Sequence, residues 1–255
     1  ARAGVLVTRP AGQGSDLCAA LGRAGFSAHS LPLLQLLPLP ELPPAQRQLV
    51  LDLDQFSHII FVSGNAVRWG MAWIESCWPQ LPVGLNWYAV GDASARLLSA
   101  YGVKVATPGA EMSTEGLLAL PQLQQLSGQR VLIVKGEGGR ATLADSLRRR
   151  GARVAELACY RRAPPDLACG ELARRLSQWD IGVVLISSGE GLANLLALLS
   201  PAETTKFACI TLLVPSSRVA QLARAAGFSR VVTAENASDS AMLRAMAVLQ
   251  TAAGE

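Results

Sequence analysis

The chain has 255 residues, of which half are hydrophobic and only 16% are charged, and this composition excludes an intrinsically disordered protein. The formal net charge is +4, and the basic residues are spread along the chain instead of forming one basic segment. This distribution disfavours nucleic acid as a partner and suits a small anionic ligand.

The N-terminal segment predicts a strand followed by a helix. Val5–Thr8 is a short apolar run, and after it Leu17 and Leu21 lie on one face of a helical period that ends at Gly25. Because this strand begins so early, we expect no secretory signal sequence. No apolar run reaches the roughly 18 residues that a membrane-spanning helix needs.

The cysteines and histidines indicate the cellular compartment. The five cysteines are odd in number and form no C-x-x-C pair, which predicts reduced thiols. Their spacing, together with only two histidines in apolar surroundings, predicts no metal site. We therefore expect a cytoplasmic protein that binds no metal.

The rest of the chain alternates strand and helix patterns. Five further apolar runs predict buried parallel strands: Ile59–Ser63, Trp87–Val90, Val131–Lys135, Val183–Ser187 and Ile210–Val214. Helical periods lie between them, one of which carries Leu143 and Leu147 and ends at Gly151. This alternation predicts α/β units with parallel sheets and right-handed crossovers.

The chain contains an internal duplication. Residues 5–34 match residues 131–160 without a gap when the sequence is shifted by 126, and eight positions are identical. A shift of 125 places Ser63 and Gly64 on Ser188 and Gly189. Proline-rich stretches at 31–44 and 159–166 interrupt the two copies, and because proline disfavours helix they predict extended links between domains.

Small hydroxylic residues and glycine follow the predicted strands. Ligands bind outside the carboxyl ends of strands in an open parallel sheet, where helix N-termini offer free amides for carboxylates or phosphates. The alternative is that these residues are only the preferred helix caps. The candidate binding residues are Thr8, Arg9, Ser63, Asn65, Ser94, Lys135, Gly136, Arg140, Ser187, Ser188, Gly189, Ser216 and Ser217.

Familiar catalytic motifs are absent from the sequence. The glycines at 136, 138 and 139 do not complete G-x-G-x-x-G, and neither a phosphate-binding G-x-x-x-x-G-K-[ST] loop nor a G-x-S-x-G elbow occurs. An enzyme of this sequence would work without an obvious strong general base. A non-catalytic two-lobed binding protein for an anionic metabolite and a nucleotide-dependent Rossmann enzyme remain alternatives.

Five segments, in this order and spacing, resemble the uroporphyrinogen-III synthase family over about residues 5–249. They are VLVTRP, FVSGNAV, AVGDASARLL, VLIVKGEGGRATLADSLRRRGARVAELACYRR and ISSGEGLANLL. The resemblance implies a lyase of haem and porphyrin biosynthesis that needs no cofactor. It closes the linear tetrapyrrole hydroxymethylbilane into uroporphyrinogen III, with loss of water and inversion of ring D through a spiro intermediate.

The resemblance also implies a domain organisation. Two flavodoxin-like (HemD-like) α/β domains with parallel sheets are joined by two extended linker strands, near 35–40 and 160–165. One domain is discontinuous and comprises residues 1–37 and 163–255, and the other comprises residues 38–162. We expect a monomer, because no apolar stripe or coiled-coil pattern is visible.

Roles for individual residues follow from the same resemblance. The family's positioned hydroxyls correspond to Ser63, Ser94, Ser188, Ser216 and Ser217. Tyr160 corresponds to the interdomain tyrosine and is the candidate donor of a hydrogen bond to the departing hydroxyl, unless it only packs there. The resemblance assigns carboxylate binding to Arg9, Lys135 and Arg140, unless they form salt bridges within the fold, and further donors to Thr8 and Asn65.

Overall fold

The computed structural model describes residues 3–109, 112–139 and 141–252. The chain divides into two compact units: unit 1 comprises Ala1–Leu36 and Ala163–Glu255, and unit 2 comprises Leu37–Arg162. Unit 1 is therefore discontinuous in sequence. No helix in the described ranges has the length and apolar character that crossing a membrane requires.

Strands and helices alternate along the chain. The strands are β1 (Gly4–Val7), β2 (Ala28–Ser30), β3 (Gln35–Pro38), β4 (His58–Phe61), β5 (Asn86–Ala89), β6 (Val105–Ala106), β7 (Arg130–Gly136), β8 (Arg153–Ala163), β9 (Ile181–Leu185), β10 (Thr211–Val214) and β11 (Val231–Thr233). The helices are α1 (Ser15–Arg23), α2 (Pro44–Leu51), α3 (Gly64–Cys77), α4 (Asp92–Ser99), α5 (Thr114–Leu118), α6 (Thr142–Arg149), α7 (Glu171–Gln178), α8 (Gly189–Leu198), α9 (Pro201–Lys206), α10 (Ser217–Ala225) and α11 (Asp239–Ala252).

Unit 1 is built on a five-stranded parallel sheet with the order β2-β1-β9-β10-β11. Numbered within the unit, this is the 2-1-3-4-5 order of flavodoxin-like folds. Successive residues of a strand point to opposite faces, and Leu6 packs in a core with α7, α8 and α10, whereas Val5 packs in another with α1 and α11. The sheet is therefore covered by helices on both faces.

Unit 2 is built on a six-stranded sheet with the order β3-β8-β7-β4-β5-β6. The pairs from β8 to β6 are parallel. If β7 and β8 are counted as its first two strands, unit 2 repeats the order of unit 1. Helices α5 and α6 cover the face of Ile60 and Ile133, and α3 approaches β7 so closely that a Cβ on Gly70 would lie 2.5 Å from Val134 Cγ1.

The duplicated segments occupy corresponding places in the two sheets. Residues 5–34 form β1, α1 and β2 of unit 1, and the matching residues 131–160 form β7, α6 and most of β8 in unit 2. Each unit thus combines the first part of one copy with the second part of the other. The proline-rich segment 31–44 contains β3, and β8 ends within the segment 159–166, so both segments include extended backbone.

All six predicted strands are present. The predicted carboxyl end of β10 at Val214 is correct, and the other five predicted ends are wrong by one or two residues. The predictions extend β4 to Ser63 and β9 to Ser187, whereas these strands end at Phe61 and Leu185. The apolar runs continue past the sheet, and Ser63 leaves it because its side chain caps the following helix. This early ending places hydroxyl groups at the rim of the sheet.

Candidate active site

Two serines of unit 1 cap the helices that follow neighbouring strands. Ser188 follows β9, and its Oγ accepts a hydrogen bond from Gly191 N (3.1 Å) at the start of α8. Ser216 follows β10, and its Oγ accepts from Val219 N (3.4 Å) at the start of α10. A hydroxyl that only accepts still carries its own proton, so both serines retain a donor for a ligand.

Arg218 reaches from one of these helices to the other. It lies in the first turn of α10, and an ideal Cβ on Gly189 would lie 3.4 Å from its Nη2, so the guanidinium stands beside the start of α8. Its side chain has no hydrogen bond or ion pair with the described residues. Ser217 beside it is exposed, and Ser187 before the α8 cap is half-buried. This end of the unit 1 sheet therefore combines hydroxyls, helix amides and a cation.

Thr8 and Arg9 are bonded inside unit 1. Thr8 is buried, and its hydroxyl donates to the carbonyl oxygen of Leu185 (2.6 Å), which joins the ends of β1 and β9. Arg9 Nη2 donates to Ala237 O (2.6 Å) and pairs with Asp239 Oδ1 (2.7 Å) at the start of α11. Arg9 is thus partnered by an internal carboxylate, which is the structural alternative considered for it.

Ser63 and Tyr160 are joined in unit 2. Ser63 follows β4 and caps α3, where its Oγ accepts from Ala66 N (3.1 Å). The same Oγ lies 3.1 Å from the hydroxyl of Tyr160 on β8. The two strands are not neighbours in the sheet, because β7 lies between them. Because β4 ends at Phe61 whereas β8 continues to Ala163, Tyr160 on β8 lies close to Ser63, which follows β4.

The Tyr160 ring is closely packed within unit 2. Only 1% of the residue is exposed, and its ring lies 5.0 Å from that of Trp69 at an angle of 51°. Gly136 is paired with Tyr160 in the sheet, and a Cβ there would lie 2.5 Å from Tyr160 Cε2. Gly136 is therefore required for the ring to occupy this place. The Arg162 guanidinium carbon lies 6.0 Å from the ring centroid.

Lys135 is paired within the sheet of unit 2. Its Nζ donates to Glu156 Oε1 (2.9 Å) on the neighbouring strand, and the other Glu156 oxygen lies 3.7 Å from Arg148 Nη2. The Lys135 side chain is 17% exposed. Its charge is thus balanced by Glu156, as the salt-bridge alternative predicts.

The remaining candidates of unit 2 differ in their environment. Ser94 lies in the first turn of α4, is 7% exposed and is not the cap, because Gly91 holds that position. Asn65 is half-buried at the start of α3, and its Oδ1 lies 3.5 Å from Arg68 Nη1. Arg140 lies outside the described residues.

A cavity of about 270 Å³ opens beside the carboxyl ends of β4 and β7 in unit 2. Its lining includes both members of the Lys135–Glu156 pair, Arg162, and two threonines at helix starts, Thr114 and Thr142. The cavity is large enough for one carboxylate-bearing side chain of a ligand. The carboxyl ends of this sheet are therefore concave and polar.

Several residues of the site were not identified from sequence. Trp69 packs against Tyr160, which is distant along the chain, so no local sequence signal indicated this contact. Arg162 lies only two residues after Tyr160, and its guanidinium stands beside the tyrosine ring. Arg218 is recognisable in the sequence as a cation beside the end of a predicted strand, but it is not among the candidate binding residues. Its place in the first turn of α10 opposes the helix dipole and therefore has a reason other than helix stability. His58 is a core residue of unit 2, bonded to the Tyr88 hydroxyl and to Gln129.

The residues that the structure describes contain no cluster of three histidine, cysteine, aspartate or glutamate side chains able to hold a metal ion. Burial raises the pKa of the Cys159 thiol, next to Tyr160, to about 12. Burial likewise raises the pKa of Tyr88 to about 12. Neither group is suited to give up a proton at neutral pH.

Comparisons with known proteins agree on one family. A family model described as uroporphyrinogen-III synthase HemD matches residues 15–244. The uroporphyrinogen-III synthase of Escherichia coli (strain K12) is 34% identical over 248 residues, which cover 95% of this chain and 99% of that protein. The uroporphyrinogen-III synthase of Salmonella typhimurium is 33% identical over 245 residues, with the same coverage.

A solved structure shows the same fold. A crystal structure of a mutant uroporphyrinogen III synthase from the extremely thermophilic bacterium Thermus thermophilus superposes with a TM-score of 0.62 at 20% identity, covering 98% of this chain and 100% of that chain. The match to the family model spans most of the sequence, and the relatives are similar over almost their full length. The chain therefore belongs to the uroporphyrinogen-III synthase family, the lyases that act in tetrapyrrole biosynthesis.

Proposed function

We propose that this chain converts hydroxymethylbilane, a linear tetrapyrrole with eight carboxylates, into uroporphyrinogen III. The hydroxymethyl group leaves as water, and ring D is inverted through a spiro intermediate before the macrocycle closes. Family membership over residues 15–244 supports the reaction. The assignment of individual residues rests on the geometry of the strand ends.

The observation that carries the proposal is the set of serine-capped helices at the carboxyl ends of both sheets. Ser63, Ser188 and Ser216 each accept a hydrogen bond from a backbone amide and keep a proton to donate. The first amides of each helix lack intrahelical partners, and the helix dipole favours an anion beside them. The helix amides and the hydroxyls of Ser188 and Ser216 suit the acetate and propionate side chains of the substrate.

The candidate residues next to the capping serines assist them in this proposal. Ser187, Gly189 and Ser217 lie beside the caps of unit 1, and Arg218 adds a charge that can pair with a carboxylate. In unit 2, Asn65 lies beside the Ser63 cap at the start of α3, and Gly136 leaves room for the Tyr160 ring.

Internally bonded residues hold the strand ends in place. Thr8, Arg9 and Lys135 all have partners within their own unit, and Ser94 is nearly buried. We assign them to the support of the binding groups rather than to direct contact with the substrate. Charged pairs of this kind fix the direction of neighbouring side chains.

Positioning is the main contribution to catalysis in this proposal. Hydroxymethylbilane loses water and closes by itself to the uninverted isomer, so the protein has to favour the geometry of the spiro route. Hydroxyl donors suffice to assist departure of the hydroxyl, and Tyr160 supplies the proton. No strong general base is required.

A product analysis tests the proposal directly. Purified protein is supplied with hydroxymethylbilane, the product is oxidised, and the ratio of the uroporphyrin isomers III and I is measured by chromatography. We expect isomer III to predominate, and isomer I to predominate with heat-denatured protein. If the native protein also leaves isomer I predominant, the proposed function is wrong, and a non-catalytic binding protein becomes the better description.

A further inference from the structure

The buried position of Tyr160 limits how it can reach a ligand. The residue is 1% exposed, its ring packs against Gly136 and Trp69, and its hydroxyl lies 3.1 Å from Ser63 Oγ. Ser63 is only half-buried and lies at the end of a strand, before α3. Of the two bonded hydroxyls, the serine is the one placed at the rim.

Hydrogen-bond counting sets the direction of the bond between them. Each hydroxyl has one proton and two acceptor positions, and Ser63 Oγ already accepts from Ala66 N. If Ser63 donates to Tyr160, the buried tyrosine proton has no acceptor among the described residues. If Tyr160 donates to Ser63, both acceptor positions of the serine are used and only its own proton remains to point outward. The second arrangement satisfies both hydroxyls, and buried hydroxyls are rarely left unsatisfied.

We propose that the Ser63 hydroxyl is the catalytic group that touches the departing hydroxyl, and that Tyr160 is a positioning residue that donates into Ser63 from behind. The proposal rests on the proposed function and differs from it in one respect. Ser63, and not Tyr160, gives its proton directly to the departing hydroxyl. Two incoming hydrogen bonds polarise the serine hydroxyl and strengthen it as a donor. They also fix the direction of its proton.

The proton transfers balance over the reaction. The carbon–oxygen bond of the hydroxymethyl group breaks with its electron pair on oxygen, which takes the Ser63 proton and leaves as water. The pyrrole nitrogen lone pair forms the new double bond of an azafulvenium cation, and the Tyr160 proton moves to Ser63 Oγ. Ring closure later releases the α-hydrogen of the terminal pyrrole as a proton, which restores Tyr160.

Kinetics of single and double variants test this order. We expect Ser63→Ala to lower kcat about 100-fold, the low end of what general acid catalysis contributes, and Tyr160→Phe to lower it about tenfold. The double variant should match Ser63→Ala within about twofold, because residues in one relay are not additive. KM should change little in either single variant.

Two controls separate chemistry from helix capping. Ser63→Asn keeps a good capping side chain without a hydroxyl and should lose as much kcat as Ser63→Ala. Ser200→Ala removes the cap of α9, where Ser200 accepts from Glu203 N, and should leave kcat unchanged. Circular dichroism and anaerobic titration with uroporphyrinogen III check that each variant folds and binds.

The outcomes distinguish this inference from the proposed function. If wild-type protein forms isomer III but Tyr160→Phe loses more kcat than Ser63→Ala, the tyrosine touches the substrate itself and the inference is wrong. Multiplicative losses in the double variant, or an active Ser63→Asn, would also overturn it. If wild-type protein does not form isomer III, the proposed function fails first.

Discussion

A serine at a helix N-cap uses only part of its hydrogen-bonding capacity. Ser188 accepts from the backbone of its own helix, so its proton is free to meet a ligand. The same side chain therefore stabilises the helix start and serves the site. In the proposed function, residues that are typical of caps therefore also bind carboxylates, and the two interpretations of the sequence do not exclude each other.

Cys159 gives a prediction at the scale of a single residue. Burial raises the pKa of its thiol from 9.0 to about 12, whereas Cys169 and Cys209 are exposed. The thiolate is the reactive form, so at pH 8 a disulfide reagent should label the two exposed cysteines quickly and Cys159 only after unfolding. Counting labelled thiols in the native and denatured protein measures this.

The same shift predicts how stability depends on pH. A raised pKa in the folded state means that the unfolded chain loses the Cys159 proton first, so this contribution to stability is complete below pH 9.0 and falls as pH rises towards about 12. The decrease in the free energy of unfolding over that range should be smaller in Cys159→Ala. Equal decreases in both proteins, or rapid native labelling of Cys159, would contradict the predicted burial.

Residue identities at the site were predictable only where the signal is local. The serines that follow strands were found because capping involves residues three apart in sequence. The ion pairs were not, because Arg9 meets Asp239 and Lys135 meets Glu156 only after the chain folds. A cation read from sequence alone therefore looks available for a ligand even when an internal carboxylate already holds it.

At the scale of elements, β7 and β8 determine where the tyrosine ring lies. Gly136 ends β7 opposite Tyr160, at a shift in the register between the strands. Gly136→Ala would place a methyl group 2.5 Å from the ring, so we expect a loss of about 1–3 kcal/mol of stability and a fall in kcat similar to that of Tyr160→Phe. Denaturation and steady-state kinetics measure the two effects.

A matched glycine in α1 provides the control. Gly22 lies inside the helix, and a Cβ there would have no atom within 4 Å. Gly22→Ala should raise stability by about 0.5–1 kcal/mol and leave kcat unchanged, since alanine only restricts the unfolded chain. If Gly136→Ala were equally harmless, Gly136 would not be what positions Tyr160.

Strands were predictable from sequence where they form a buried apolar run. The six buried runs of four or more residues were recognised as strands, because an apolar run in an α/β pattern has few other uses. The short strands β2, β6 and β11 were not predicted, and all of them lie at sheet edges with half-buried or exposed residues. The first part of β8, which lies inside the sheet, was also missed, because only the link near 160–165 was expected to be extended. Few residues of an edge strand are buried, so its sequence has no clear apolar pattern. Such a strand can be recognised only once the neighbouring strand of the sheet is known.

At the scale of the whole molecule, duplication and exchange account for the discontinuous unit. Residues 5–34 and 131–160 form corresponding strands, but each completes a sheet whose other strands come from the opposite copy. Sequence similarity between the copies reveals the duplication but not the exchange, since both arrangements have the same repeats. The resemblance to a known family supplied what the repeat could not.

The central claim is that capped helix starts at the carboxyl ends of the sheets bind the carboxylates of the tetrapyrrole. Hydrogen exchange with and without uroporphyrinogen III tests it, because the first amides of a helix are unprotected in the free protein. At a ligand concentration about 100 times the Kd, we expect the amides at 64–65, 189–190 and 217–218 to exchange about 100-fold more slowly. Unchanged exchange at these amides, with protection confined to other parts of the chain, would contradict the account.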